Sequence, residues 1–152
     1  MSEAVKVLIK NRKAYHEYFI EDVYEAGIAL AGSEVKSIRA GKANIKDAFV
    51  RIKDGEAFIH NMHISPYEKL NSWGQEPLRV RKLLLHKSEI QEMWNDVRQK
   101  GVTIVPVQVY LKDGRAKIEI AVAKGKKIYD KRDEIAKRDQ DREAQRERRR
   151  RD

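Results

Sequence analysis

Two stretches of apolar alternation, each broken by Asp-Gly, constrain this chain more than any other feature. In "VTIVPVQVYLKDGRAKIEIAV", Val105, Val107, Val109 and Leu111 lead to Asp113-Gly114, and Ile118, Ile120 and Val122 follow it, with Lys117 and Glu119 facing the other way. A period of two marks a half-buried strand, and Asp-Gly supplies the two positive-φ positions of a tight hairpin turn. "AFVRIKDGEAFIH" repeats the pattern around Asp54-Gly55, with Ala48, Val50 and Ile52 on one face and Arg51 and Lys53 on the other. Pro106 has no N–H to donate to a ladder, so its strand is expected at an edge or with a bulge. Upstream, "EYFIEDVYEAGIALAG" reads as two more strands or one strongly bent strand with Gly27 at the bend.

Helical periodicity occurs in three places. Ser33 is the expected cap of a short helix through "EVKSIRAGK", stopped by Gly41. "KSEIQEMWNDVRQKG" carries Ile90, Met93, Trp94 and Val97 on one stripe, with Ser88 as the expected cap and Gly101 as the stop. In the C-terminal stretch, Asp133 and Lys137, Glu134 and Arg138, and Glu147 and Arg151 are acid-first pairs at i, i+4. Each contributes roughly 0.2–0.5 kcal/mol, enough to bias a helix but not to fold one alone. Short antiparallel strands with hairpin turns and one amphipathic helix predict a mainly β fold. The expected form is a closed or nearly closed antiparallel barrel of the oligonucleotide-binding (OB-like) type with flanking helices.

The expected organisation is one barrel domain over residues 1–123 and a basic tail over 124–152. From Ala123 on, Tyr129 is the one aromatic residue, so this segment has little with which to build a core and is expected to be disordered when free and helical against a partner. It holds 13 basic and 8 acidic residues from position 124, against 20 and 16 in the body. Both parts are therefore basic, and nucleic acid is the expected partner. The chain has no cysteine, which excludes disulfides, thiolate catalysis and Cys-ligated zinc. With no membrane span or signal peptide in view, a soluble cytoplasmic protein is expected.

Enzymatic motifs are missing. Gly41-Lys42 lacks the earlier glycine and the following Ser or Thr of a phosphate-cradling loop, and neither GxSxG nor HExxH occurs. His60 and His63 have no third ligand in sequence, so partly buried structural histidines are expected and no metal or other cofactor. An RNA-cleaving role for His16, His60 or His86 would need a second positioned acid–base group that nothing in the sequence supplies, so no enzyme activity is expected. Basic residues gather in "KNRKAYH", "VKSIRAGKANIK", "RVRK" and "AKGKK". Any one cluster reads equally as an ordinary solvated face, whereas four on one barrel favour phosphate contacts. The small turns "AGKAN" and "AKGKK" would let backbone N–H groups approach RNA, and Asn44 offers an amide for a base or a 2′-hydroxyl.

The blocks "NRKAYHEYFI", "EAGIALAGSEVKSIRAGKANIKDAFV", "HISPYE", "RKLLLHKSEI", "VPVQVYLKDGRAKIEIAVAKGKK" and "YDKR", in this order from about Asn11 to Arg132, resemble the bacterial SsrA-binding protein (SmpB) family. The resemblance implies a barrel that binds the tRNA-like domain of tmRNA at its elbow and stands in for a missing anticodon stem. With EF-Tu and GTP, alanyl-tmRNA then reaches the A site of a stalled ribosome for trans-translation and peptide tagging. It implies roles in tmRNA binding for Glu25, Leu84 and Lys117, although Leu84 also reads as core, Glu25 as a lysine partner and Lys117 as a solvated strand residue. His16, Lys36, Arg39, Lys42, Asn44, Lys124, Lys126 and Lys127 are expected at or near the RNA surface. The tail is expected in the empty mRNA channel, with Tyr129, Asp130, Lys131 and Arg132 near the decoding centre and Lys137 and Arg138 beyond. A helix over residues 128–152 would be ~37 Å long at ~1.5 Å per residue. A monomer is expected, and the alternative is a ribosomal or initiation-factor-like RNA-binding barrel that never meets tmRNA.

Overall fold

The computed structural model describes residues 4–66 and 76–126. Nine strands and three helices follow in the order β1 (Val5–Lys10), α1 (Arg12–Glu17), β2 (Tyr18–Ile28), α2 (Gly32–Arg39), β3 (Ala43–Asn44), β4 (Phe49–Lys53), β5 (Glu56–His60), β6 (His63–Ile64), β7 (Arg81–Leu84), α3 (Lys87–Lys100), β8 (Thr103–Lys112) and β9 (Arg115–Gly125). The fold is mainly β with flanking helices, as the sequence predicts. Strands β8, β4, β5, β7, β2 and β9 pair in that order, and β9 returns to β8, which closes an antiparallel ring; β1 adds to β8, and β3 pairs with β6 separately.

Both Asp-Gly hairpins form where the alternation places them. Asp54 and Gly55 have φ of 53° and 74°, and Asp113 and Gly114 have 50° and 78°, the two consecutive positive values that match the strand twist. Pro106 produces a bulge and not an edge: the β8–β9 register shifts between Pro106 and Gln108 while β8 keeps neighbours on both sides. The extra residue reverses the alternation. Val105 and Val107 consequently join a small cluster with Ala14, Ala121 and Ala123, and Val109 points into the main core with Ile118, Ile120 and Val122. β2 is one strand, and its irregularity lies between Ile20 and Asp22 and not at Gly27, which pairs in regular register on both sides.

Helix α1 has no counterpart in the sequence reading. Asn11 starts it by accepting from the Ala14 N–H at 3.2 Å, and the same buried side chain donates to the carbonyls of Pro106 at 2.8 Å and Ile45 at 3.2 Å. One asparagine thus caps a helix and satisfies the carbonyl at the proline bulge. The other two helices start two residues earlier than their serines suggest. Ala31 and His86 are the caps, and each donates its backbone N–H to a glutamate three residues on, Glu34 at 2.9 Å and Glu89 at 3.1 Å. The glutamate half of a capping box fixes both starts where no hydroxyl does. Gly41 (φ 72°) and Gly101 (φ 62°) follow the helix ends as expected.

Glu34 also anchors α2 to the ring. Its carboxylate, 3% exposed, accepts from Arg81 Nε at 2.6 Å and from the Arg79 guanidinium, and Arg81, fully buried, donates onward to the Met62 carbonyl at 2.7 Å and the Pro77 carbonyl at 3.1 Å. Burial alone would raise the Glu34 carboxyl, but Arg79, the Ala31 amide and Arg81 hold it below the usual range. α3 is tied to β2 by the Tyr24 hydroxyl, which donates to Glu92 at 3.1 Å. Burial and that carboxylate push Tyr24 up to about 12.

Candidate nucleic-acid interface

Gly27 lies at the crossing of three strands. It faces Leu84 on β7 and Lys117 on β9, and Glu25 sits two residues back on the same face of β2. The three residues that the family resemblance singled out therefore line one groove of about 490 Å³, whose far wall is the start of α3 with His86 and Lys87. A Cβ built on Gly27 would meet the Leu84 Cβ at 3.3 Å, so the missing side chain is what lets β7 approach. Leu84 is 55% exposed, which removes the core reading: the neighbouring Leu83, at 1%, takes the core position. An exposed leucine in a groove lined by both charged and apolar residues offers an apolar platform for a base or ribose face.

The carboxylate of Glu25 is held by its surroundings. Oε2 accepts from the buried Tyr110 hydroxyl, and Lys112 Nζ lies 3.2 and 3.3 Å from the two oxygens. The Tyr110 hydrogen bond lowers the Glu25 carboxyl more than partial burial raises it, and Lys112 and Lys117 lower it further. Tyr110 moves the opposite way, raised by burial and by the same bond. Glu25 is thus both a lysine partner and an ionised acceptor on the groove wall. Sequence reading found Glu25 and Lys117 but missed Tyr110 and Lys112. The signal was the i, i+2 spacing of these two residues on the polar side of β8.

The remaining candidates divide between two regions. Arg39 reaches the β8–β9 turn, where its guanidinium donates to the Gly114 carbonyl at 3.0 Å, so the exposed end of α2 with Lys36 and Lys42 lies toward the end of β9 that carries Lys117. Asn44 Oδ1 accepts from the Lys46 N–H at 2.8 Å, a local bond that shapes the segment between β3 and β4. Lys124, Lys126 and His16 sit elsewhere. Lys124 pairs with Glu21 at 3.4 Å; Lys126 donates to the Tyr15 carbonyl at 3.0 Å and lies 5.2 Å from the Phe19 ring centroid; His16 is exposed on α1 beside Tyr15. Lys117 and Lys124 are seven strand residues apart, about 23 Å at ~3.3 Å per residue.

His60 stacks on Phe49 with centroids 5.2 Å apart, and burial, then Arg51, lowers its pKa. His63 on β6 pairs with Asn44 on β3, and among the described residues no group of three or more His, Asp or Glu side chains is placed to hold a metal. No helix among them is long and apolar enough to cross a membrane. Lys127, Tyr129, Asp130, Lys131, Arg132, Lys137 and Arg138 lie outside the described residues.

Comparison with known proteins places the chain in a family. The family model for SmpB protein matches residues 8–150. The SsrA-binding protein of Desulforudis audaxviator is 60% identical over 141 residues, covering 93% of this chain and 92% of the relative, and that of Caldicellulosiruptor saccharolyticus is 60% identical over 135 residues, covering 89% and 85%. A solved structure described as "tmRNA-SmpB: a journey to the center of the bacterial ribosome" superposes with a TM-score of 0.66 at 48% identity, covering 78% of this chain and 83% of the other.

Proposed function

Because the chain belongs to the SmpB family, we propose that it binds the tRNA-like domain of tmRNA and brings it to stalled ribosomes for trans-translation. The observation that carries this reading is the convergence of Glu25, Leu84 and Lys117, from three strands, on one groove. Lys117 supplies phosphate attraction, Leu84 a face for an unstacked base or ribose, and Glu25 an acceptor for RNA donors. Lys36 and Arg39 on α2, Lys42 after it and Asn44 on β3 extend the tmRNA contact.

The chain leaves the ring at the other end of β9, beside His16, Lys124 and Lys126. This supports a division of labour in which the ring holds tmRNA and the basic tail, with Tyr129, Asp130, Lys131, Arg132, Lys137 and Arg138, enters the empty mRNA channel of the small subunit. Delivery proceeds with EF-Tu and GTP acting through alanyl-tmRNA, in the cytoplasm, with the protein as a monomer that binds RNA and catalyses nothing.

The test compares the full chain with a truncation ending at Lys127. Binding of the tRNA-like domain is measured at two salt concentrations, and peptide tagging on stalled ribosomes is assayed in parallel. Normal binding with lost tagging is expected. Loss of most of the binding would reduce the tail to an RNA-affinity arm and overturn the channel account.

A further inference from the structure

An anionic side chain on a phosphate-binding face works against affinity unless it makes a contact of its own. Glu25 is such a side chain, and the protein keeps it charged and fixed. Tyr110 is 5% exposed, and its hydroxyl is committed to Oε2 of Glu25. Lys112 straddles both oxygens from the same strand. Tyr110 and Lys117 are also direct partners across β8–β9, so the two side chains leave the same face of the sheet side by side. A buried tyrosine hydroxyl needs one acceptor, and a backbone carbonyl would serve that need. Here it is spent on the carboxylate that lines the groove.

We propose that Tyr110 is a positioning residue for RNA recognition: it orients the Glu25 carboxylate so that the remaining acceptor sites take a neutral N–H or O–H donor of the bound RNA. A freely rotating glutamate would lose rotamer entropy at binding. The tyrosine removes that freedom beforehand and leaves the anion acceptor-only. This inference rests on the groove being the RNA site.

The test is a double-mutant cycle of Tyr110→Phe and Glu25→Gln in the full chain, with binding of a tmRNA tRNA-like-domain transcript and of an ordinary tRNA transcript measured across pH. Tyr110→Phe keeps the ring and its packing, and thermal unfolding checks that the fold is retained. A loss of affinity on the order of tenfold is expected, the size of a hydrogen bond to a charged group. Its acid limb should move to higher pH, because Glu25 loses the bond that most favours its ionised form. In the Glu25→Gln background, Tyr110→Phe should change affinity little. The charged groups that face Glu25, namely Lys112 and Lys117, Glu119 on β9, Glu56, and His86, Lys87 and Glu89 at the α3 wall, are present in all four proteins.

Equal losses in both backgrounds, or an unmoved acid limb, would make Tyr110 merely structural and overturn the proposal. If the wild type prefers ordinary tRNA, the functional reading fails, and the cycle is then read on the tRNA, where the same coupling still tests the tyrosine. Inosine or 2′-deoxy substitution in the RNA separates the donor sources: a penalty that vanishes in Glu25→Gln identifies a base amino group in the first case and a ribose hydroxyl in the second.

Discussion

Gly27 and Leu84 face each other across the β2–β7 pairing with so little space that a Cβ on the glycine would stand 3.3 Å from the leucine Cβ. The glycine is in ordinary strand conformation, so space and not backbone strain is what alanine would violate. Leu84 is half exposed and free to give way. Gly27→Ala should therefore cost no more than about 1 kcal/mol in urea unfolding, a smaller overpacking penalty than a closed core imposes. Binding of the tRNA-like domain should fall several-fold as the leucine platform shifts. A large stability loss with unchanged binding would contradict this.

The Glu34–Arg81 pair predicts the opposite pattern. Replacing Arg81, fully buried, by Met leaves Glu34 with less compensation and the Met62 carbonyl without its side-chain donor, while the Pro77 carbonyl keeps only the Ile64 N–H at 3.0 Å. Breaking a buried pair from one side costs about 3–5 kcal/mol. Urea titration should show a midpoint shift of that size, and binding measured where the variant is still folded should change far less.

The same carboxylate sets a pH dependence. Glu34 is held below its ordinary range in the folded protein, so its contribution is fully present above the unfolded value of about 4.3 and is lost as pH falls through the folded one. Glu25 acts in the same direction more weakly because it is more exposed. Stability followed from pH 7 downward should be flat and then fall in acid, and Glu34→Gln, although less stable at neutral pH, should show a shallower acid fall.

Two glycines should respond to alanine with opposite signs. Gly114 has φ of 78°, where a Cβ is unfavourable by roughly 1–2 kcal/mol, so Gly114→Ala should destabilise by about that amount. Gly32 opens α2 with nothing within 4 Å of a built Cβ, so Gly32→Ala should stabilise by about 0.4–1 kcal/mol through the unfolded chain. Thermal unfolding of both variants checks the pair.

Salt dependence separates the two ends of β9. Lys117→Ala should weaken binding of the tRNA-like domain and lower the slope of log affinity against log salt by about 0.7–0.9 for each phosphate contact removed. The double variant Lys124→Ala/Lys126→Ala, about 23 Å away along the strand at ~3.3 Å per residue, should leave that slope unchanged.

What the sequence makes legible is what depends on local chemistry. Alternation around Asp54-Gly55 and Asp113-Gly114 is enough for both hairpins because turn geometry sets their register. Strand pairing between distant segments is not readable in this way, yet Glu25, Leu84 and Lys117 meet only through it; from the sequence they came together by resemblance. The helix starts were misplaced because a serine is a visible cap, whereas the caps used are Ala31 and His86, made effective by Glu34 and Glu89. Helix α1 was missed because its six residues carry no apolar stripe and its start depends on Asn11 contacting Pro106 and Ile45, far away in sequence. At Pro106 the sequence is compatible with an edge or a bulge, and simple alternation puts Val105 and Val107 on one face with Val109; only the bulge that forms separates them.

Strand β9 is pinned on both flanks, with nine Cα partners on β2 and nine on β8. The chain continues from its far end. Tension applied to the following residues therefore pulls β9 along its own axis, and the ladder bonds on both sides resist together in shear instead of opening one at a time as in a peeled hairpin. The ring is built to stay closed under a load on its C-terminal side, and the mechanical weak points lie elsewhere, at the single Val50–Ile104 pairing of β4 with β8 and the two-residue pairing of β2 with β7. A pulling experiment from the C-terminal end should accordingly meet a high force threshold, whereas thermal opening should begin at those two short seams.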